Sequence, residues 1–185
     1  MPSSYIYSPS SLEIGLARRV TKSRSNCDVL DVLGEFAVSS VYGLKLFGEN
    51  GGWHGPRYSS ILRSLSAGRI LVKTVPRSNY NFALSKAEEG LSWERGILVV
   101  PRGIEVKPPY DLLTLRLAGW ICKPDFMSSK VWGKVGNRDK HIASKGMLKP
   151  MIELDIPSSS YSLKSMIDLH GIDGAYRSLC TSYVK

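Results

Sequence analysis

The chain has 185 residues, 43% of them hydrophobic and 22% charged, and its 25 Lys and Arg against 16 Asp and Glu give a formal charge of +9. That length suits one domain burying roughly two-thirds of its unfolded surface, and that composition excludes an intrinsically disordered chain. The charge excess favours polyanionic partners, either nucleic acid or an acidic lipid surface, and says nothing about the fold.

In chain order, residues 1–11 are mostly Ser, Tyr and Pro and read as a mobile arm. Leu12 to Val20 reads as a turn or two of helix leading into four cations, Arg18, Arg19, Lys22 and Arg24, within reach of phosphates. Val29, Leu30, Val32 and Leu33 fit a short helix closing at Gly34. Residues 1–34 are thus expected to be an arm with a basic segment, and residues 35–185 the globular domain.

The domain is expected to be organised around Glu35 to Val75. Phe36, Val38, Tyr42, Leu44 and Leu46 alternate as on an extended strand. Gly48 to Pro56 is too rich in glycine for regular structure, and Trp53 within it is either an exposed anchor or a cover for a sheet edge. Tyr58, Ile61, Leu62 and Leu65 give one stripe of a short helix stopping at Gly68. Ile70 to Val75 then reads as a strand ending at Pro76.

Arg77 to Gly90 is polar and turn-rich, with a rare acidic spot at Glu88 and Glu89. Gly96 to Val100 is a short apolar strand, Lys107 to Tyr110 is extended through its prolines, and Leu112 to Ile121 is the longest strand. Lys123 to Lys149 differs in kind. It carries Lys123, Lys130, Lys134, Arg138, Lys140, Lys145 and Lys149 against Asp125 and Asp139, more than half of the chain's charge excess. Gly133, Gly136 and Gly146 argue for a loop, and Phe126, Met127, Val131 and Trp132 give it an apolar component. Cations interleaved with a few large apolar groups suit lipid headgroups with a shallow wedge, or a phosphate backbone with a stacking ring. Met151 to Ile156 alternates as a strand. Leu163, Met166, Ile167 and His170 then form a helix stopping at Gly171, and a last helix follows from Asp173 with Tyr176, Leu179, Cys180 and Tyr183 as its stripe.

Catalytic signatures are sparse. Gly48 to Pro56 lacks the spacing of a phosphate-binding loop, and no nucleophile-elbow motif occurs. His54, His141 and His170 have no ligand partner at metal spacing, and Cys27, Cys122 and Cys180 read as reduced thiols of an intracellular protein. No catalytic residue, metal or cofactor is expected. No apolar run approaches the ~20 residues of a membrane span, and the N-terminus shows no secretory signal, so membrane contact is expected to be peripheral.

Three stretches carry a likeness to a known family. Glu35 to Ser66 resembles the strand–loop–helix at the start of the rhabdovirus matrix protein core, with Arg57 to Leu62 in the place of that helix. Trp93-Glu94-Arg95-Gly96 through Pro101-Arg102 to Pro108-Pro109 is similar to a stretch of that core, and Met151 to Leu154 through Leu163 to Ile167 looks like its C-terminal strand and helix. Size and basicity resemble the short matrix proteins of plant rhabdoviruses. The chain departs from the animal members in lacking a lysine-rich N-terminus, and Pro108-Pro109-Tyr110 falls one residue short of a PPxY budding motif.

The resemblance implies an α+β domain, a small mostly antiparallel sheet packed by a few short helices. It implies a non-enzymatic structural role in the virion: linking the viral nucleocapsid to the inner face of the envelope, contacting a glycoprotein tail, and self-associating during assembly and budding. Arg18, Arg19, Lys22, Arg24, Lys130, Lys134, Arg138, Lys140 and Lys145 would meet the anionic membrane surface or the nucleocapsid. Tyr5, Tyr7 and Trp53 would serve self-association into a homo-oligomer. Host cytoplasm, membranes and nucleus are all compatible with a chain of 20.5 kDa. The competing reading is a soluble viral RNA-binding protein, a silencing suppressor or movement factor, using the same cations.

Overall fold

The computed structural model describes residues 4–23, 28–43, 60–64, 68–103, 106–110, 113–144, 146–156 and 162–181. Two sheets organise them. The larger runs β1 (Ile6–Tyr7), β6 (Leu115–Cys122), β5 (Arg95–Pro101), β3 (Gly68–Thr74), β2 (Ser60–Ser64) in spatial order, and the smaller runs β4 (Ala83–Leu84), β8 (Arg138–Ile142), β7 (Val131–Val135). Only β3 and β5 pair in parallel; the other ladders are antiparallel. Helices α1 (Ser11–Ser23), α2 (Val29–Tyr42), α3 (Lys86–Glu89), α4 (Lys123–Ser129) and α5 (Leu163–Thr181) complete a single α+β domain.

Alternation along the central strands sorts the core into two layers. Ile70, Val72, Ile97, Val99, Leu115 and Leu117 turn one way and pack with α1, α2 and α5. Leu71, Leu98, Val100 and Ile121 turn the other way, onto Phe82, Leu84, Trp93 and Phe126. The register between β5 and β6 shifts at Leu98/Val99, so Leu98 faces Gly119 while Val99 faces Leu117. One extra residue in β6 reverses its parity. Leu117 before the shift and Trp120 after it therefore both serve the helical layer.

Residues 35–42 are helical, not extended. They belong to α2, which is buried on nearly every side from Leu30 to Ser39. Asp28 caps it: its carboxylate accepts from the Leu30 N–H at 2.8 Å, and Asp31 accepts in turn from the Asp28 N–H at 3.1 Å. The helix ends at Gly43, with φ 66°, instead of closing at Gly34. At Gly34 it lies so close to Thr74 that a side chain there would strike the threonine. The predicted helix over Tyr58–Leu65 contains β2 instead, and the strand predicted after it is β3. Met151–Glu153 is a 3-10 turn, not a strand: Met151 and Leu154 are buried while Ile152 is 60% exposed. The two C-terminal helices are found, joined at Gly171 with φ 71°.

Among the described residues of the first 34, the chain packs onto the domain and does not form a separate arm. Ile6 and Tyr7 pair with Arg116 and Leu115 of β6. Tyr7 is buried and its hydroxyl donates to Glu13 at 3.1 Å, while the Tyr5 ring leans on Tyr42 with centroids 6.5 Å apart. Burial, reinforced by the Glu13 carboxylate, holds the Tyr7 hydroxyl well above the ordinary phenol range. Tyr7 is thus consumed by the chain's own core and Tyr5 is half-buried, so the pair does not present mobile anchors for self-association.

Candidate functional site

The basic segment 123–149 is folded and does not form one long loop. Pro124 suits the first turn of α4. Lys130 then breaks the helix into β7. Gly136 and Asn137 connect β7 to β8, and Gly136 has φ 61°, which a two-residue hairpin turn requires. Trp132 stands opposite His141, their rings edge to face at 4.6 Å, and Lys134 stands opposite Asp139.

Three of its seven Lys and Arg, Lys123, Lys130 and Lys149, are held by neighbouring groups of the fold. Lys130 donates to Glu89 at 3.0 Å, and His141 Nδ1 shares the same carboxylate oxygen at 2.6 Å. Lys123 donates to the Leu91 carbonyl at 2.7 Å and sits over the Trp93 ring. Lys149 lies 3.4 Å from Asp125 and over the Trp120 ring. The hydrogen bond from Cys122, with Lys149 beside it, holds the Asp125 carboxyl below its usual range. Lys140 is half-buried, and Lys134 and Arg138 are exposed. Lys145 lies outside the described residues. Such neighbours leave the net charge of the segment unchanged at long range but restrict the reach of each ammonium.

The basic group at Arg18 is also partly structural. Arg18 donates to the Pro109 carbonyl at 2.5 Å, and Arg19 bridges α1 to α5 through Asp173 at 2.6 Å and stacks over Tyr176. Lys22 is exposed. Arg24 and Trp53 lie outside the described residues.

Beside these cations the surface is apolar at one place. Met127 is 42% exposed, Val131 53% and Trp132 57%, all at the junction of α4 and β7. Single exposed apolar residues are ordinary, and Val131 and Trp132, consecutive on β7, turn to opposite faces of the small sheet.

Behind the hairpin lies a cavity of about 180 Å³, walled by Lys73, Thr74, Tyr80, Asp31, Arg138 and Lys140. The sequence did not mark it, because its walls come from α2, β3, the following loop and β8. Lys73 is almost fully buried and donates to Glu88 at 2.5 Å. Burial first, then the neighbouring Lys73, pushes the Lys140 ammonium down. The Thr74 hydroxyl is buried with no hydrogen-bond partner among the described residues.

Burial raises the Asp31 carboxyl from its ordinary 3.8 to about 7, with Lys73 pulling it down and Asp28 and Glu35 pushing it up. Between those two values the folded protein holds a proton that the unfolded chain has released. Stability from this group is therefore fully present below pH 3.8 and is lost as pH rises through about 7. Asp31→Asn keeps an acceptor for the Asp28 N–H and removes the charge. It is expected to gain about 2 kcal/mol over the parent at pH 8 and little at pH 4. Urea midpoints at the two pH values check this; an unchanged pH slope would remove Asp31 as its source.

Among the described residues no helix is long and apolar enough to cross a membrane, and no group of three or more His, Cys, Asp or Glu could hold a metal ion. Cys122 forms no disulfide. No family model, no curated protein and no solved structure matches this chain.

Proposed function

We propose that this chain is a non-enzymatic structural protein of the matrix type, which attaches peripherally to the inner, anionic face of a viral envelope and bridges it to the nucleocapsid. The observation that carries this reading is the exposure of Trp132, with Met127 and Val131, around the head of β7 in a segment that also carries Lys130 and Lys134. An indole set beside ammonium groups suits the headgroup region, where the ring enters the boundary and the cations stay with the phosphates. The formal charge of +9 adds long-range attraction. Each cation near an anionic leaflet contributes about 1 kcal/mol, and that attraction falls as salt is added. Self-association belongs to the same reading but not through Tyr7, whose side chain is buried.

Co-sedimentation with vesicles tests the attachment. The protein is expected to bind phosphatidylcholine vesicles carrying phosphatidylserine in low salt and to ignore pure phosphatidylcholine. The double variant Trp132→Ala/Lys134→Glu is expected to lose at least about tenfold in affinity, since it removes the wedge and reverses one exposed charge. Sedimentation equal to the parent's would remove the hairpin from the reading. Tight filter binding of RNA with no vesicle binding would replace the reading with that of a soluble RNA-binding protein.

A further inference from the structure

The cavity behind the hairpin has features that general adhesion does not require. Three cationic side chains, Lys73 from β3 and Arg138 and Lys140 from β8, line one space of about 180 Å³. Lys73 and Lys140 approach closely enough for each to feel the other, and Glu88, which accepts from Lys73, also acts on Lys140. Like charges held this near one another are relieved by an anion that accepts from both. The wall also supplies neutral groups, Tyr80 and Asn81. Asp31 is the one carboxylate on the lining, and at neutral pH it is only partly ionised, so the wall stays net positive.

We propose that this cavity is a binding site for a phosphate monoester, held by Lys73, Arg138 and Lys140 beside Tyr80. A dianionic phosphate with three acceptor oxygens matches three convergent cations better than a carboxylate or a phosphodiester does. The monoester is either the headgroup of a lipid such as phosphatidic acid or a soluble phosphorylated small molecule. The assignment deepens the adhesive reading, because the hairpin that carries Trp132 also forms a wall of the cavity.

Calorimetric titration of the full chain with inorganic phosphate and with glycerol 3-phosphate, at fixed ionic strength in chloride, tests the site. Both are expected to bind with one-to-one stoichiometry. Lys140→Gln is expected to weaken them about tenfold or more. Asn81→Trp, at an exposed position on the cavity's lining, is expected to block them while all three cations remain. Thermal midpoints in chloride establish that each variant is folded. A parallel vesicle arm compares phosphatidic acid with phosphatidylserine at matched surface charge.

Preference for phosphatidic acid that is lost in both variants identifies the lipid source. Equal binding to the two vesicles, with phosphate and glycerol 3-phosphate still bound, identifies a soluble ligand. Phosphate binding without any vesicle binding upholds the site and defeats the adhesive reading. No binding of phosphate or glycerol 3-phosphate above the chloride control, with equal vesicle binding, overturns the site and leaves the adhesive reading standing.

Discussion

Replacing Glu88 by alanine is expected to cost about 3–5 kcal/mol of folding free energy. Glu88 is 1% exposed and makes two kinds of contact. One oxygen accepts from Lys73 at 2.5 Å, and the other accepts from the Ser85 N–H at 2.6 Å, which closes a capping box over α3. Without it Lys73, itself 6% exposed, keeps its charge in a nearly dry place with Lys140 close by. The reciprocal Lys73→Met leaves a buried carboxylate but keeps Lys140 near, so it is expected to cost less. The double variant Lys73→Met/Glu88→Met is expected to be nearer the parent than Glu88→Ala is, because no buried charge is left unpaired. Urea unfolding of the three variants completes the cycle. A cost below about 1 kcal/mol for Glu88→Ala would show that water reaches Lys73 and that the pair is effectively exposed.

Phe126→Ala is expected to cost a comparable 3–5 kcal/mol, and to do so locally. Phe126 is fully buried, edge-on to Phe82 at 5.6 Å and 6.1 Å from Trp93. These three rings join α4 to β4 and to the approach to β5, and so fix the small sheet against the large one. Truncation leaves a cavity at that junction, while the helical layer on the opposite face keeps its packing. Hydrogen exchange should therefore show β7 and β8 amides losing protection before those of α1 and α2. Uniform loss across the chain would mean that the two layers unfold as one unit. Loss of vesicle binding in the same variant would accompany detachment of the hairpin.

How far the sequence discloses this architecture depends on what each pattern can distinguish. Gly96 to Val100 and Ile70 to Thr74 lie in strands buried on both faces, and short runs so rich in β-branched residues have few other solutions. Residues 35–42 defeat the same logic. A helix buried nearly all round satisfies the two-residue period as readily as the helical one, so alternation there carries no information. The informative residues were at the ends, Asp28 with Asp31 three positions on, and Gly43. Gly68 misled for a related reason: its φ of 72° serves the start of β3, and a left-handed glycine looks the same there as at the end of a helix.

The hairpin carried a readable sign in Gly136-Asn137 between two five-residue strands. Rich in glycine and in charge, the same segment looks equally like a solvated loop. The acidic pair at 88 and 89 was visible as a composition anomaly. That it pairs with Lys73, Lys130 and His141 was not, since those partners are 15, 41 and 52 positions away along the chain. The cavity was illegible for the same reason, as it exists only where four separate segments meet.

The pairing of β1 with β6 has a consequence for biosynthesis. Ile6 leaves the ribosome well before its ladder partner Arg116, which lies 110 positions further along the chain (116 − 6). Helices α1 and α2 can dock on each other as they emerge, whereas the outer edge of the large sheet stays open until β6 appears. Closing a contact of that span is slow. The nascent protein therefore carries Tyr7 unpaired until Leu115 is made, and that interval is when a chaperone or a neighbouring chain has its best chance to capture it.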